Sequence, residues 1–380
     1  MVVRVLATIW KARDQIARRS KRDAHRSRLR DSLRLSESPK PPADEWNDLR
    51  HRANGARTRG CCETGSLGRP AAFLIKRSLT ALFLAGAAAA LQAQSYVPQR
   101  VYDSRHHRFA DFEAMLANVS TADVVFVGEQ HNDPNTHRLE LAVLEGLARR
   151  RVNMILAMEM FERDVQEPLD HFAMGHTSED EFLKTSRPWP RYATDYKPLV
   201  DFAAAHDWPI VASNVPRPIA SEVSRTGLGI LESKTDREKT WFASDLECPV
   251  GDDYYKRFVE AMGGHPGPPG PPGSSGRSGP AIEKFYDAQC LKDETMGESI
   301  ARAWQAGATG GKRPLVVHIN GAFHSDYHEG TAARVGRRLH GKRIVVVSIL
   351  PVDEIDRVAP DQDARRRADY LVYTIRKTGT

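Results

Sequence analysis

Apolar positions along this chain fall into short runs separated by longer amphipathic stretches. The near-continuous runs Asp123–Val127, Met154–Met158, Pro209–Ala212, Leu315–Ile319 and Arg343–Ile349 predict strands covered on both faces. Between the first two, Leu139, Ala142, Val143, Gly146 and Leu147 recur at helical spacing. They predict a helix over about Thr136–Arg150, whose closing arginines 149, 150 and 151 suit the negative end of its dipole. A second helix, about Ala281–Ala306, carries Phe285, Gln289, Met296, Ile300 and Ala303 on one stripe, and Asp293 shares it. A carboxylate on a buried stripe needs a partner, either at a functional site or in a neighbouring loop that it caps. Alternating strands and helices imply an α/β domain with a mainly parallel sheet flanked by helices.

Two segments interrupt the alternation. Residues 164–196 are rich in Trp, Tyr, His and Phe, with Pro188 and Pro190 around Trp189, and predict a small helical insertion over the sheet. Residues 263–280 are a Gly/Pro-rich surface loop; two Gly-Pro-Pro triplets are too few for a collagen helix.

The N-terminal region changes the picture of compartment. Residues 1–73 are dense in Arg, Ser and Pro and read as a disordered or non-native extension upstream of the true start. Residues 74–93 then read as a signal peptide. Lys76 and Arg77 precede the apolar run Leu79–Leu91, and a small-residue zone beyond it predicts cleavage after Ala93. The run falls short of the ~20 residues that span a bilayer comfortably. The expectation is an exported, periplasmic domain over 94–380; an uncut signal would instead anchor it to the membrane. No cysteine lies between Cys62 and Cys248 to carry a lipid. Residues 1–73 hold 17 Lys+Arg against 8 Asp+Glu, whereas the remainder holds 38 against 41. The basic pI therefore belongs to the extension, and a nucleic-acid groove in the domain is not expected. Cys248 and Cys290 can pair in an oxidising compartment, or Cys290 can remain a buried thiol.

Candidate chemistry collects beside the strand ends, where open parallel sheets bind ligands. Gly128-Glu-Gln-His131 and Gly321-Ala-Phe-His324 are paired Gly-x-x-His motifs, each next to a strand; Glu159–Arg163 and Asn214–Pro216 lie past two others. Glycine there permits close backbone approach. Two imidazoles, His131 and His324, with the carboxylates Glu129 and Glu159, form a mixed N/O set suited to a divalent metal. With such an ion they imply a metal-dependent hydrolase of peptidase or esterase type, in which Glu129 or Glu159 is the general base. Each histidine can instead cap a helix or bond within its loop. His137 stands six residues beyond His131 and is a weaker candidate, and His318, on a strand, reads as packed.

The run Val124–Pro134 resembles the first motif of the ChaN-like haem-binding uptake proteins. Further matches are Met158–Glu162, Trp189–Tyr196, Ala212–Pro216 and Phe285–Met296, so the resemblance covers about Tyr102–Tyr373. It implies a three-layer α/β core with a helical subdomain, and haem binding linked to iron uptake, with a homodimer among its assemblies. The wider Tiki/TraB/erythromycin-esterase-like superfamily shares paired Gly-x-x-His motifs with an acidic residue. By that likeness Glu129, His131, Glu159 and His324 are the matching positions, with Gly128, Asn214, Asp293 and Gly321 beside them. Tyr192, Tyr196, His171 and His176 in the insertion are the candidates for a haem ligand.

Overall fold

The computed structural model describes residues 97–263 and 280–377. The extension 1–73, the signal 74–93 and loop residues 264–279 lie outside them. In chain order the elements are β1 (Gln99–Asp103), β2 (Arg108–Ala110), α1 (Phe112–Val119), β3 (Val124–Glu129), α2 (Pro134–Ala148) and β4 (Met154–Glu162). The insertion comes next as α3 (Gln166–Ala173), α4 (Glu179–Ser186) and α5 (Tyr192–Asp195), leading into α6 (Lys197–Ala205). Then come β5 (Ile210–Asn214), α7 (Arg217–Thr226), α8 (Asp253–Gly263), α9 (Pro280–Gly307) and β6 (Leu315–Gly321). The chain ends on α10 (Gly330–Arg338), β7 (Ile344–Val352), α11 (Gln362–Arg367) and β8 (Tyr370–Ile375).

The eight strands form one sheet in the order β2-β1-β8-β7-β3-β6-β4-β5. From β8 to β5 every pairing is parallel, and β1 and β2 add an antiparallel edge. Period-two alternation divides the strand side chains between two layers. Val125 and Val127 join a core with Leu116, Val143, Leu169 and Phe182, whereas Val124 and Phe126 join one with Ile300, Ala303 and Val335. All four β3 side chains are fully buried, a contribution of roughly 1.5–3 kcal/mol for each large one. This central strand is thus fixed on both faces, and the turn at its carboxyl end is anchored with it.

Local sequence sets the turn after β3. Asp133 Oδ1 accepts from the amides of Asn135 and Thr136, both at 2.9 Å, and Pro134 opens α2 where no amide is needed. The helix therefore begins two residues earlier than its apolar periodicity indicates, with His137 at its fourth position. A second difference lies in β4, expected to stop at Met158. It runs on to Glu162, with a register irregularity between Met158 and Glu162. Glu159 is thus on the strand and not beyond it; its carbonyl accepts from Asn214 Nδ2 and its Oε2 from the Gly321 amide. Three strands went unanticipated: β1 and β2 are short and edge-placed, and β8 acquires its partners from β1 and β7.

Among the described residues, no helix is long and apolar enough to cross a membrane. Cys248 and Cys290 are joined in a disulfide, their Cα atoms 5.7 Å apart. The bond ties the loop before α8 to the middle of α9. Closing a loop over a sequence separation of 42 residues should stabilise the fold by about 4 kcal/mol through the unfolded chain. A Cys248→Ser/Cys290→Ser variant is expected to lose about 4 kcal/mol of unfolding free energy in a urea titration; an unchanged midpoint would show that α9 does not need the tether.

Candidate functional site

Pairing of β3 with β6 sets Glu129 opposite Gly321. The two Gly-x-x-His motifs are thereby neighbours, and their glycines are reciprocal. A Cβ on Gly321 would fall 2.7 Å from His131 Nε2, and one on Gly128 would fall 3.0 Å from Ala322 Cα. Each motif is admitted by the missing side chain of the other. Sequence alone suggested a shared strand edge; the contacts show that a side chain at either glycine would press on the other motif.

His324, in a single 3-10 turn after β6, is buried among acids. Its Nδ1 lies 2.7 Å from Asp293 Oδ1 and its Nε2 lies 3.3 Å from Glu159 Oε1. Burial alone would lower the imidazole's pKa, but the Glu159 and Asp293 charges raise it to about 10. Burial likewise works against the Glu159 carboxylate, yet His324, His131 and the Gly321 amide hold it at about 2. Asp293 is further bound by the hydroxyls of Thr331 (2.8 Å) and Tyr254 (2.5 Å). Asp293 thus faces His324 and the start of the helix at Thr331 at once.

Glu129 organises the other half. Its Oε1 accepts from the Tyr196 hydroxyl at 2.9 Å and from His131 Nδ1. Burial opposes its charge, but His131 and His137 keep the carboxyl well below the usual range. Against its own burial, His131 is raised by Glu129 and Glu159. Its ring stays 46 % exposed and stands edge-on to Trp189 at 5.1 Å. Behind Glu129, His137 Nδ1 sits 3.4 Å from Glu129 Oε2 and 3.2 Å from Glu140 Oε2. Burial again opposes, yet the two glutamates raise His137 to about 11. Arg191 closes this side, paired with Asp195 at 2.8 Å and donating to the His131 carbonyl.

The remaining expected site residues are dispersed. Asn214 is buried at the end of β5, donating to the Glu159 carbonyl and accepting from the Val215 amide, so it joins β4 to β5. Tyr192 packs between Phe161 and Phe182 inside the insertion, away from the imidazoles. His171 and His176 are exposed beside each other, ring centroids 6.2 Å apart. His318 is fully buried against Phe126 and Ser213, as its strand position indicates. The four residues expected to hold a metal form two pairs, His131 with Glu129 and His324 with Glu159, and these pairs are also bonded outside the set, to Tyr196, His137, Asp293 and the Gly321 amide. Sequence reasoning missed Glu140, Asp195, Arg191, Tyr254, Gln289 and Thr331, and it underrated His137. The i, i+3 pair His137 and Glu140 directly after a capped turn was the available signal; the rest arrive from distant elements.

Compared with known proteins, residues 115–335 match a family described as "Haem-binding uptake, Tiki superfamily, ChaN". ChaN of Campylobacter jejuni, whose solved structure concerns cofacial haem binding, superposes with a TM-score of 0.52 at 15 % identity, covering 73 % of this chain and 96 % of that one. At that identity the likeness shows the fold, a mainly parallel sheet flanked by helices. A curated relative, Protein RETICULATA-RELATED 5, chloroplastic, of Arabidopsis thaliana, is 26 % identical over 276 residues. That match takes in 70 % of this chain but only 36 % of the relative, so the chain spans about a third of its length.

Two outcomes are expected at these residues. Gly321→Ala should displace the His131 ring and cost about 1–3 kcal/mol in urea unfolding; a cost near zero would mean the interlock is loose. The raised pKa of His324 contributes stability that is complete below its ordinary value of 6.5 and lost as pH rises toward 10. Wild type should therefore weaken across that interval more steeply than His324→Gln, and parallel profiles would contradict the assignment. The depressed Glu159 acts on the acid side, its contribution fading as pH falls from 4.5 toward 2.

Proposed function

Because the chain belongs to the ChaN family of haem-binding uptake proteins in the Tiki superfamily, we propose that it binds haem, with His131 as the imidazole that meets the ligand. The observation that carries this reading is the state of His131. Its Nδ1 is held by the buried Glu129 carboxylate, and its ring remains about half exposed at the carboxyl edge of the sheet. A histidine oriented in this way through one nitrogen offers the other as a strengthened ligand, a donor type suited to haem iron. Trp189 beside it supplies a flat apolar surface. When bound, haem would supply the redox-active iron; the chain's own residues bind it and fix the tautomer of His131.

Burial ranks the other haem-ligand candidates. The Tyr196 hydroxyl is committed to Glu129, and Tyr192 is enclosed by phenylalanines. His171 and His176 are open to solvent but belong to the far end of α3 and the turn after it. Hydrolysis through a metal on His131, His324, Glu129 and Glu159 has less support, since among the described residues no three of these four bring donor atoms within 4.8 Å of one another. Export to the periplasm and a part in haem or iron uptake belong to the same proposal. The apolar run Leu79–Leu91 supports export. So does the Cys248–Cys290 disulfide, a bond that persists in oxidising compartments.

Haem titrated into the purified chain should produce a Soret band that saturates at a defined stoichiometry. His131→Ala should shift that band and weaken binding by at least tenfold. No spectral change in wild type at equimolar haem would overturn the reading, and an unaltered spectrum in His131→Ala would move the ligand elsewhere.

A further inference from the structure

Glu129 uses only one carboxylate oxygen for His131 and Tyr196. Its Oε2 is buried and accepts no hydrogen bond, and Glu140 Oε1 is in the same condition. Glu140 is completely buried, and Glu129 and His137 nearly so. Unpartnered carboxylate oxygens in such a place are costly, because burial removes the water that would satisfy them. Both belong to carboxylates that converge on a third donor, His137 Nδ1.

The spacing of these donors is informative. His137 Nδ1 is 3.2 Å from Glu140 Oε2 and 3.4 Å from Glu129 Oε2, and one donor atom from each of the three residues lies within 4.8 Å of the other two. Donors around an ion with bonds of ~2.1 Å stand roughly 3.0–3.4 Å apart along the edges of an octahedron or tetrahedron. Outer contacts complete the arrangement. His137 Nε2 lies 3.2 Å from the His131 carbonyl and 3.3 Å from Asp195 Oδ2, acceptors that keep a proton on Nε2 and aim Nδ1 at the two glutamates. Asp195 is fixed by Arg191, and Glu129 is fixed through its other oxygen. Among the described residues, this is the set of His, Cys, Asp and Glu side chains that brings three donors so close.

We propose that Glu129, His137 and Glu140 form a site for a divalent first-row metal ion, of the Zn²⁺ or Mn²⁺ class that takes one imidazole nitrogen with carboxylate oxygens. The site shares Glu129 with the Gly-x-x-His set but takes neither of its histidines, His131 and His324. On entry of the ion the Nδ1 proton of His137 leaves to solvent. Glu129 then bridges two functions, holding the ion through Oε2 and orienting His131 through Oε1. The ion would thus set the position of the imidazole that faces the ligand.

The test uses the full chain, stripped with EDTA, loaded separately with Zn²⁺ and with Mn²⁺, desalted, and analysed by elemental mass spectrometry. Wild type should retain about one ion per chain. Glu140→Gln, nearly isosteric and checked for folding by circular dichroism, should lower occupancy at least tenfold, whereas His324→Gln should keep the ion. Wild type alone also decides, through the visible d–d bands of a Co²⁺-loaded sample. No retained ion and no such bands would overturn the site, as would full occupancy in Glu140→Gln. Loss of the ion in His324→Gln with retention in Glu140→Gln would place it on the paired motifs instead. Haem titration of the metal-free chain is read separately, so absence of a Soret band counts against haem binding and not against the ion.

Discussion

The site depends on the parallel register of β3 with β6. That register sets Glu129 opposite Gly321 and lets two backbones approach where a single methyl group would collide with His131. Slipping one strand by one residue would send its side chains to the opposite face and part the motifs. The register is in turn secured by the complete burial of Val124–Val127 between two layers of helices. Core packing and site geometry are here the same constraint viewed from the middle and from the edge of the sheet.

A dense group of charges is then fixed at that edge. Glu129, Glu140, Glu159 and Asp293 are buried beside His131, His137 and His324. Acids without these imidazoles would take up protons, and imidazoles without the acids would lose theirs. Their mutual arrangement keeps charge on Glu129, Glu159 and Asp293, whereas burial and the neighbouring Glu129 charge push the Glu140 carboxyl well above the usual range. It also divides the three histidines by role. His324 has carboxylates at both nitrogens, His137 is enclosed, and His131 is anchored at Nδ1 and turned partly to solvent. The ring with an open face is the one through which a ligand can be met.

The helical insertion contributes more than a cover. Tyr196 and Asp195 reach back to Glu129 and His137, Arg191 grips the His131 carbonyl, and Trp189 stands against the His131 ring. Movement of this segment would therefore alter the histidine's electrostatic surroundings as well as its access to solvent. On the opposite side α9, tethered by the disulfide, delivers Asp293 to His324.

Much of this was legible in the residues themselves. Unbroken apolar runs marked five of the parallel strands, helical spacing marked α2 and α9, and paired Gly-x-x-His motifs beside strand ends marked where chemistry gathers. Local physics suffices for such features, since each depends on a few consecutive positions. The sequence could not rank Tyr192 against Tyr196, two aromatic residues four positions apart. Only packing sends one among phenylalanines and the other onto Glu129. Nor could it join Asp293 to His324, or set His137 and Glu140 behind Glu129, because those contacts are closed by strand order and helix placement across the chain. The sequence by itself determined which elements form and which residue types stand at their ends. Tertiary structure alone decided which of those ends meet, because proximity between distant segments arises from the register and layering of the whole sheet.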